Sequence, residues 1–119
     1  MPLIKTSYPQ VLNSLRGPTA GRTFLLFYSS IVNGQMWCPD CRAVEGIVED
    51  AFEGDDKPKC AIVWVERDEW KKPDGAERVQ WNLRGLPTII RFEEGAETGR
   101  LVEGEMLDGA RWSAFLAGK

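Results

Sequence analysis

Histidine is absent from all 119 residues, and with it go whole classes of chemistry. Ser-His-Asp and Cys-His nucleophilic sites cannot be assembled, nor can zinc sites that mix cysteine with histidine. Cysteine is scarce as well. Cys38, Cys41 and Cys60 are too few and too uneven for the disulfide framework of a small secreted protein, and one short of a four-thiolate metal site. Three cysteines plus a carboxylate would lack the second CxxC that makes a zinc site persuasive, so no metal is expected. Long apolar runs are missing too. The longest, Phe24 to Tyr28 and Cys60 to Val65, fall far below the roughly 20 residues of a membrane span. The opening MPLIKTSYPQ has no apolar region after a basic start, so a cytoplasmic protein without membrane contact is expected. No charge of one sign dominates either: the net charge is −3 with basic residues scattered among acids, which argues against nucleic acid as a partner.

What remains is an ordinary globular composition, 43% hydrophobic and 28% charged, over a length suited to one domain spanning residues 1–119. Residues 2–5 read as a short edge strand. Ser7 caps an expected helix to Leu15, ended by Gly17-Pro18. Thr23 to Ser29, TFLLFYS, is a continuous apolar run of strand length, as in a strand covered on both faces. SIVNGQM follows as a loop carrying an Asn-Gly turn signal. Val44, Ile47, Val48, Ala51 and Phe52 then fall on one helical stripe that Gly54 ends. CAIVWVE at 60–66 is a second buried strand. Asp74 to Arg84 reads as a shorter helix closed by Gly85. Thr88 to Glu93 and Arg100 to Glu103 read as strands. Asp108 caps a last helix bearing Trp112, Phe115 and Leu116. This alternation predicts an α/β fold, a central mixed β-sheet flanked by helices on both faces.

Within that frame the stretch QMWCPDCRA at 35–43 falls past the end of a central strand, where a helix begins. A redox cysteine needs its thiolate stabilised, and the first turn of a helix offers unpaired N–H groups and the positive end of the dipole. Cys38 is expected at the N-cap and Pro39 at the first helical position. Cysteines in such motifs commonly have pKa values of roughly 3.5 to 7.5. Cys38 is therefore the expected nucleophile, and Cys41, one turn along and shielded, the resolving thiol. Asp40 pulls two ways, favoured by the helix N-terminus yet repelling a thiolate, and is a candidate modulator of the cysteine pKa. Trp37 is expected to cover the disulfide. In Leu86-Pro87-Thr88 a proline at a strand's start suggests a special turn, with a cis bond as one form.

WCPDC after a buried strand, together with Leu86-Pro87-Thr88 before the last hairpin, resembles the thioredoxin fold. More narrowly, the chain resembles the family of thioredoxin-related proteins of 14 kDa, the thioredoxin domain-containing protein 17 family. The long segment between strand and CxxC, the Pro39-Asp40 dipeptide, Trp70-Lys71-Lys72-Pro73 and Leu101-Val102-Glu103 carry that likeness. The resemblance implies Cys38 as nucleophile, Cys41 as resolving cysteine, and Pro87 as a cis-proline beside the disulfide. Trp37, Leu86, Pro87 and Thr88 would then contact substrate. Leu26 stands where thioredoxin has a buried aspartate, leaving Asp40 or water as the base. Cys60 matches a buried structural thiol. The implied activity is a cytosolic disulfide reductase with no bound cofactor, only the redox-active Cys38–Cys41 disulfide. Its electrons would come from NADPH through thioredoxin reductase, its substrates would be small or peptide disulfides such as cystine, and it would act as a monomer. The alternative is an interaction module whose CxxC redox state tunes partner binding.

Overall fold

The computed structural model describes residues 3–4, 22–53, 57, 59–72, 75–93 and 96–118, and the expected helix at 7–15 lies outside them. The elements are strands β1 (Leu3–Ile4), β2 (Arg22–Ser29), β3 (Ile31–Val32) and β4 (Gln35–Met36), helix α1 (Pro39–Phe52) and strand β5 (Lys59–Val65). There follow helices α2 (Arg67–Lys71) and α3 (Ala76–Trp81), strands β6 (Thr88–Glu93) and β7 (Ala96–Val102), a 3-10 turn at Glu103–Leu107, and helix α4 (Gly109–Leu116).

The main sheet has the order β1-β5-β2-β6-β7. β2 is parallel to β5 and antiparallel to β6, so it sits centrally in a mixed sheet. A strand paired on both edges and covered on both faces has no polar side, and Phe24, Leu25, Leu26 and Phe27 are all fully buried. Alternation along the strand sends neighbouring side chains to opposite faces. Phe24 meets Phe52 of α1 at 5.0 Å and Phe115 of α4 at 5.5 Å between ring centroids. Phe27, on the other face, meets Trp81 of α3 at 5.8 Å, and Trp81 in turn meets Phe92. The helices thus cover both faces of a mixed sheet. Each such ring stabilises the fold by about 1.5–3 kcal/mol of burial.

The helix caps follow local chemistry. The Asp108 carboxylate accepts from the Ala110 and Arg111 N–H groups at the start of α4, satisfying donors that a helix leaves unpaired.

Several elements differ from expectation. The 30–36 segment is not an open loop but a small antiparallel hairpin, Ile31 opposite Met36 and Val32 opposite Gln35. Asn33 and Gly34 both take positive φ, 55° and 85°, the geometry of the tight turn whose twist matches flanking strands. The helix expected over 74–84 is shorter and ends at Trp81, because Asn82 enters the left-handed region (φ 53°, ψ 49°) with its N–H returned to the Arg78 carbonyl. Gly85 is not its stop. It lies buried before Pro87, and a Cβ there would overlap the Glu103 carboxylate. The last strand begins at Ala96 rather than Arg100. A bulge between the Arg91–Gly99 and Phe92–Glu97 pairs absorbs Thr98, whose hydroxyl and carbonyl bind the Arg91 guanidinium. The helix at Arg67–Lys71 and the 3-10 turn were not expected. Among the described residues no helix is long and apolar enough to cross a membrane.

Candidate active site

Strand β2 ends at Ser29, and the hairpin returns the chain to Trp37 beside that end. The Trp37 N–H donates to the Ser30 carbonyl at 3.2 Å. Its indole N–H donates to the Val65 carbonyl at 3.0 Å. The tryptophan is thereby tied to the carboxyl ends of β2 and β5 as well as standing next to Cys38, and it is half-buried. Arg42 closes the other side of the hairpin, donating to the Met36 carbonyl at 3.2 Å.

Cys38 is the N-cap of α1 and Pro39 its first residue, as the motif predicts. The Cys38 carbonyl accepts from the Cys41 and Arg42 N–H groups at 3.1 and 3.3 Å. One turn of helix therefore sets Cys41 beneath Cys38. Cys38 is half-buried and Cys41 has no exposed surface; both are free thiols. The positive end of a 14-residue helix lies under the pair, which favours negative charge there.

The Cys38 sulfur lies 3.8 Å from the Leu86 carbonyl oxygen, and the Leu86–Pro87 bond is cis. The turn before β6 is thus brought against the CxxC although 46 positions separate Cys41 from Pro87 in the sequence. Leu86, Pro87 and Thr88 are all buried. Thr88 spends its hydroxyl on the Gly85 carbonyl at 2.7 Å, which braces the turn. Asp40 is exposed in the first turn of α1 and its carboxylate bonds to no described residue.

Cys41 is pushed up to about 12, first by burial, with Ser29 hydrogen bonds acting the opposite way and the nearby Cys38 raising it further. Leu26, at the expected place of an acid, is fully buried and apolar. Cys60 lies elsewhere, opposite Phe24 in the β2–β5 register. Its thiol is buried and raised by desolvation. No cluster of three or more cysteine, aspartate or glutamate side chains suited to a metal ion occurs among the described residues.

Ser29 is the residue that sequence reasoning missed. It is fully buried, its hydroxyl accepts the Cys38 N–H at 3.1 Å, and its own N–H points at the Cys41 sulfur at 3.4 Å. The only signal in the sequence is a polar residue closing an otherwise apolar strand.

Comparison with known proteins follows the same outline. Residues 7–115 match the model of the thioredoxin domain-containing protein 17-like thioredoxin domain. The chain is 33% identical over 81 residues to the thioredoxin-like protein Clot of Oryza sativa, covering 61% of this chain and 58% of that protein. The chain therefore spans less than two thirds of the rice protein's length. It is 30% identical over 87 residues to a thioredoxin domain-containing protein of Schizosaccharomyces pombe, covering 69% and 70%. It is 26% identical over 92 residues to human thioredoxin domain-containing protein 17, covering 73% and 72%. Among solved structures, Trxlp from Edwardsiella tarda superposes with a TM-score of 0.66 at 18% identity over 96% of this chain and 97% of that one. Thioredoxin f2 of Chlamydomonas reinhardtii gives 0.65 at 13% identity over 98% of each chain. At such identities the likeness shows the thioredoxin fold.

Proposed function

The chain belongs to the thioredoxin domain-containing protein 17-like family and is a thioredoxin-type redox protein, and from that premise we propose that it is a cytoplasmic disulfide reductase working through Cys38 and Cys41. One observation carries the reading: a half-exposed thiol at a helix N-terminus stands directly above a fully buried one. In the proposed cycle the Cys38 thiolate attacks a disulfide sulfur, forms a mixed disulfide and expels the first thiolate. Cys41, held protonated by burial, does not compete in that step. It then loses its proton and attacks the Cys38 sulfur, closing the Cys38–Cys41 disulfide and expelling the second thiolate. Two electrons pass to the substrate, and NADPH returns them through thioredoxin reductase.

Trp37 and the backbone of the Leu86-Pro87 turn form the substrate-facing rim in this reading, while Thr88, fully buried with its hydroxyl on the Gly85 carbonyl, braces that turn from within rather than touching substrate. Asp40, exposed beside the pair, is the candidate modulator of cysteine ionisation. The proposed substrates are small or accessible disulfides such as cystine. Supporting this choice, the hairpin that leads into Trp37 carries Ile31 and Val32 exposed, bulk that would obstruct a large folded partner more than a small molecule. The protein is proposed to act as a monomer.

The test is NADPH consumption with thioredoxin reductase and cystine, comparing wild type with Cys38→Ser. Turnover abolished by the substitution is the expected result. No turnover in wild type with both thiols reduced would overturn the reductase reading in favour of a module whose CxxC state governs partner binding.

A further inference from the structure

We infer that Ser29 is a working part of the thiol–disulfide site, supplying the donors that stabilise the Cys41 sulfur as a thiolate when it attacks. This rests on the reading above, in which Cys38 attacks first and Cys41 resolves.

The reason lies in how strand β2 ends. Residues of a central strand alternate in which neighbour their N–H and C=O groups face. The Ser30 N–H donates to Val65 of β5 at 2.9 Å, so the Ser29 N–H faces the side of β6. There the antiparallel ladder stops at the Phe27–Thr88 pair, because Pro87 and its turn leave the sheet. No strand carbonyl remains for Ser29, and a buried N–H needs a partner. The Cys41 sulfur takes that place at 3.4 Å. The Ser29 hydroxyl accepts the Cys38 N–H, which leaves its single hydrogen free to donate, and that hydrogen is assigned to the Cys41 sulfur, whose ionisation Ser29 eases. Donors aimed at a sulfur favour its charged form. Among the described residues no carboxylate hydrogen-bonds this sulfur. Asp40 and Glu45, the nearest acids on its own helix, are exposed, and the titratable groups that act on it are Cys38 and, from β2, the buried Tyr28, whose phenol burial keeps protonated. Ser29 thus opposes the burial that keeps Cys41 protonated, at the one atom that has to lose a proton.

Reaction of the reduced protein with dithiobis(nitrobenzoate) separates the two steps. Cys38 attack forms the mixed disulfide and releases one thionitrobenzoate. Deprotonated Cys41 then attacks the Cys38 sulfur, forming the intramolecular disulfide and releasing the second, with the two thiol protons passing to solvent. Ser29→Ala keeps the backbone N–H and removes only the hydroxyl, and losing one hydrogen bond to a charged sulfur lowers the thiolate fraction about 10- to 100-fold. The more basic thiolate regains about half of that on a logarithmic scale through its nucleophilicity. Ser29→Ala should therefore slow the second release about 3- to 10-fold while changing the first by less than about two-fold. The deficit should persist in parallel across pH 6–9, each second phase rising about ten-fold per pH unit. Ser29→Thr, which keeps the hydroxyl, should recover most of the rate. A second release unchanged in Ser29→Ala, or both releases slowed equally with no recovery in Ser29→Thr, overturns the inference alone. If wild type lacks a first release that depends on Cys38, the two-step reading falls and the inference with it.

Discussion

Two cysteines lie near opposite ends of strand β2, equally buried and differently surrounded. Cys60, beside Phe24 toward the strand's start, is surrounded by a closed hydrogen-bond economy. Among the described residues its thiol reaches only the Ala61 carbonyl, at 3.9 Å. Nearby, Arg91 is almost fully buried but saturated, donating to the Phe115 carbonyl and to Thr98 and pairing with Glu93. Cys41, at the strand's far end, meets donors that the sheet has left over, and has a half-exposed thiol beside it. Burial alone makes a thiol inert. What distinguishes the redox candidate is a ladder that stops early on one side, so that polar groups of the backbone face sulfur instead of carbonyl oxygen.

The sharpest break in this comparison is substitution of the thiols themselves. Cys38→Ser should take turnover with cystine and thioredoxin reductase to background, and Cys41→Ser should trap a mixed disulfide visible by intact mass. Cys60→Ala should leave turnover per folded molecule unchanged and cost about 1–2 kcal/mol of stability, read from urea unfolding. Equal loss of turnover in all three would erase the distinction.

The saturated end should respond in stability only. Arg91→Ala removes a buried donor from the Thr98 carbonyl and from the Phe115 carbonyl, which keeps the Gly118 N–H, and should destabilise the protein by about 3 kcal/mol. A large change in turnover of the surviving folded fraction would show that the two ends are coupled.

Alkaline unfolding compares the thiols directly. Unfolded cysteine titrates near pH 8.5, whereas in the fold Cys41 is raised to about 12 and Cys60 is raised by burial. Above about pH 8.5 the unfolded chain therefore holds fewer protons than the native one. Stability from each thiol is complete below that pH and drains as pH rises toward the folded value. The rate is up to about 1.4 kcal/mol per pH unit per thiol. Urea midpoints of reduced protein between pH 8 and 10.5 should fall, more gently in Cys60→Ala and in Cys41→Ala. A pH-independent midpoint would contradict the raised values.

The smallest effect expected is on selectivity. Replacing the 31–36 hairpin with a shorter link should raise the rate on a folded protein disulfide a few-fold and leave the rate on cystine nearly unchanged, measured side by side with the same reductase. A rate on the protein disulfide that does not move would remove the proposed role of Ile31 and Val32.

Much of this molecule can be read from local pattern. The apolar run at 24–28 and the stripe from Val44 to Phe52 name strand and helix because burial on both faces and on one face leave different periods. Asp108 marks a helix start because its carboxylate serves donors only two and three residues away. Misjudged points turn on backbone angles or distant partners. The hairpin at 31–36 reads as a loop in the sequence because each arm has only two residues, too short for any period to show. The helix through 76–81 is shorter than its pattern suggests because the break falls at Asn82, a non-glycine in left-handed geometry, while Gly85 is the more familiar stop. The first half of the last strand is hidden in the sequence because its bulge around Thr98 interrupts alternation, and the Arg91 side chain across the pair, which binds Thr98, accounts for the bend there.

The spacing Cys-Pro-Asp-Cys by itself determined that two thiols lie one helical turn apart, with proline at the first helical position, since those are consequences of a few neighbouring dihedral angles. Only the tertiary structure decided that the Leu86 carbonyl stands over Cys38 and that Ser29 faces Cys41. Those contacts join residues brought together by the sheet, and the place where β6 turns away from β2 fixes which backbone donors are left to meet sulfur.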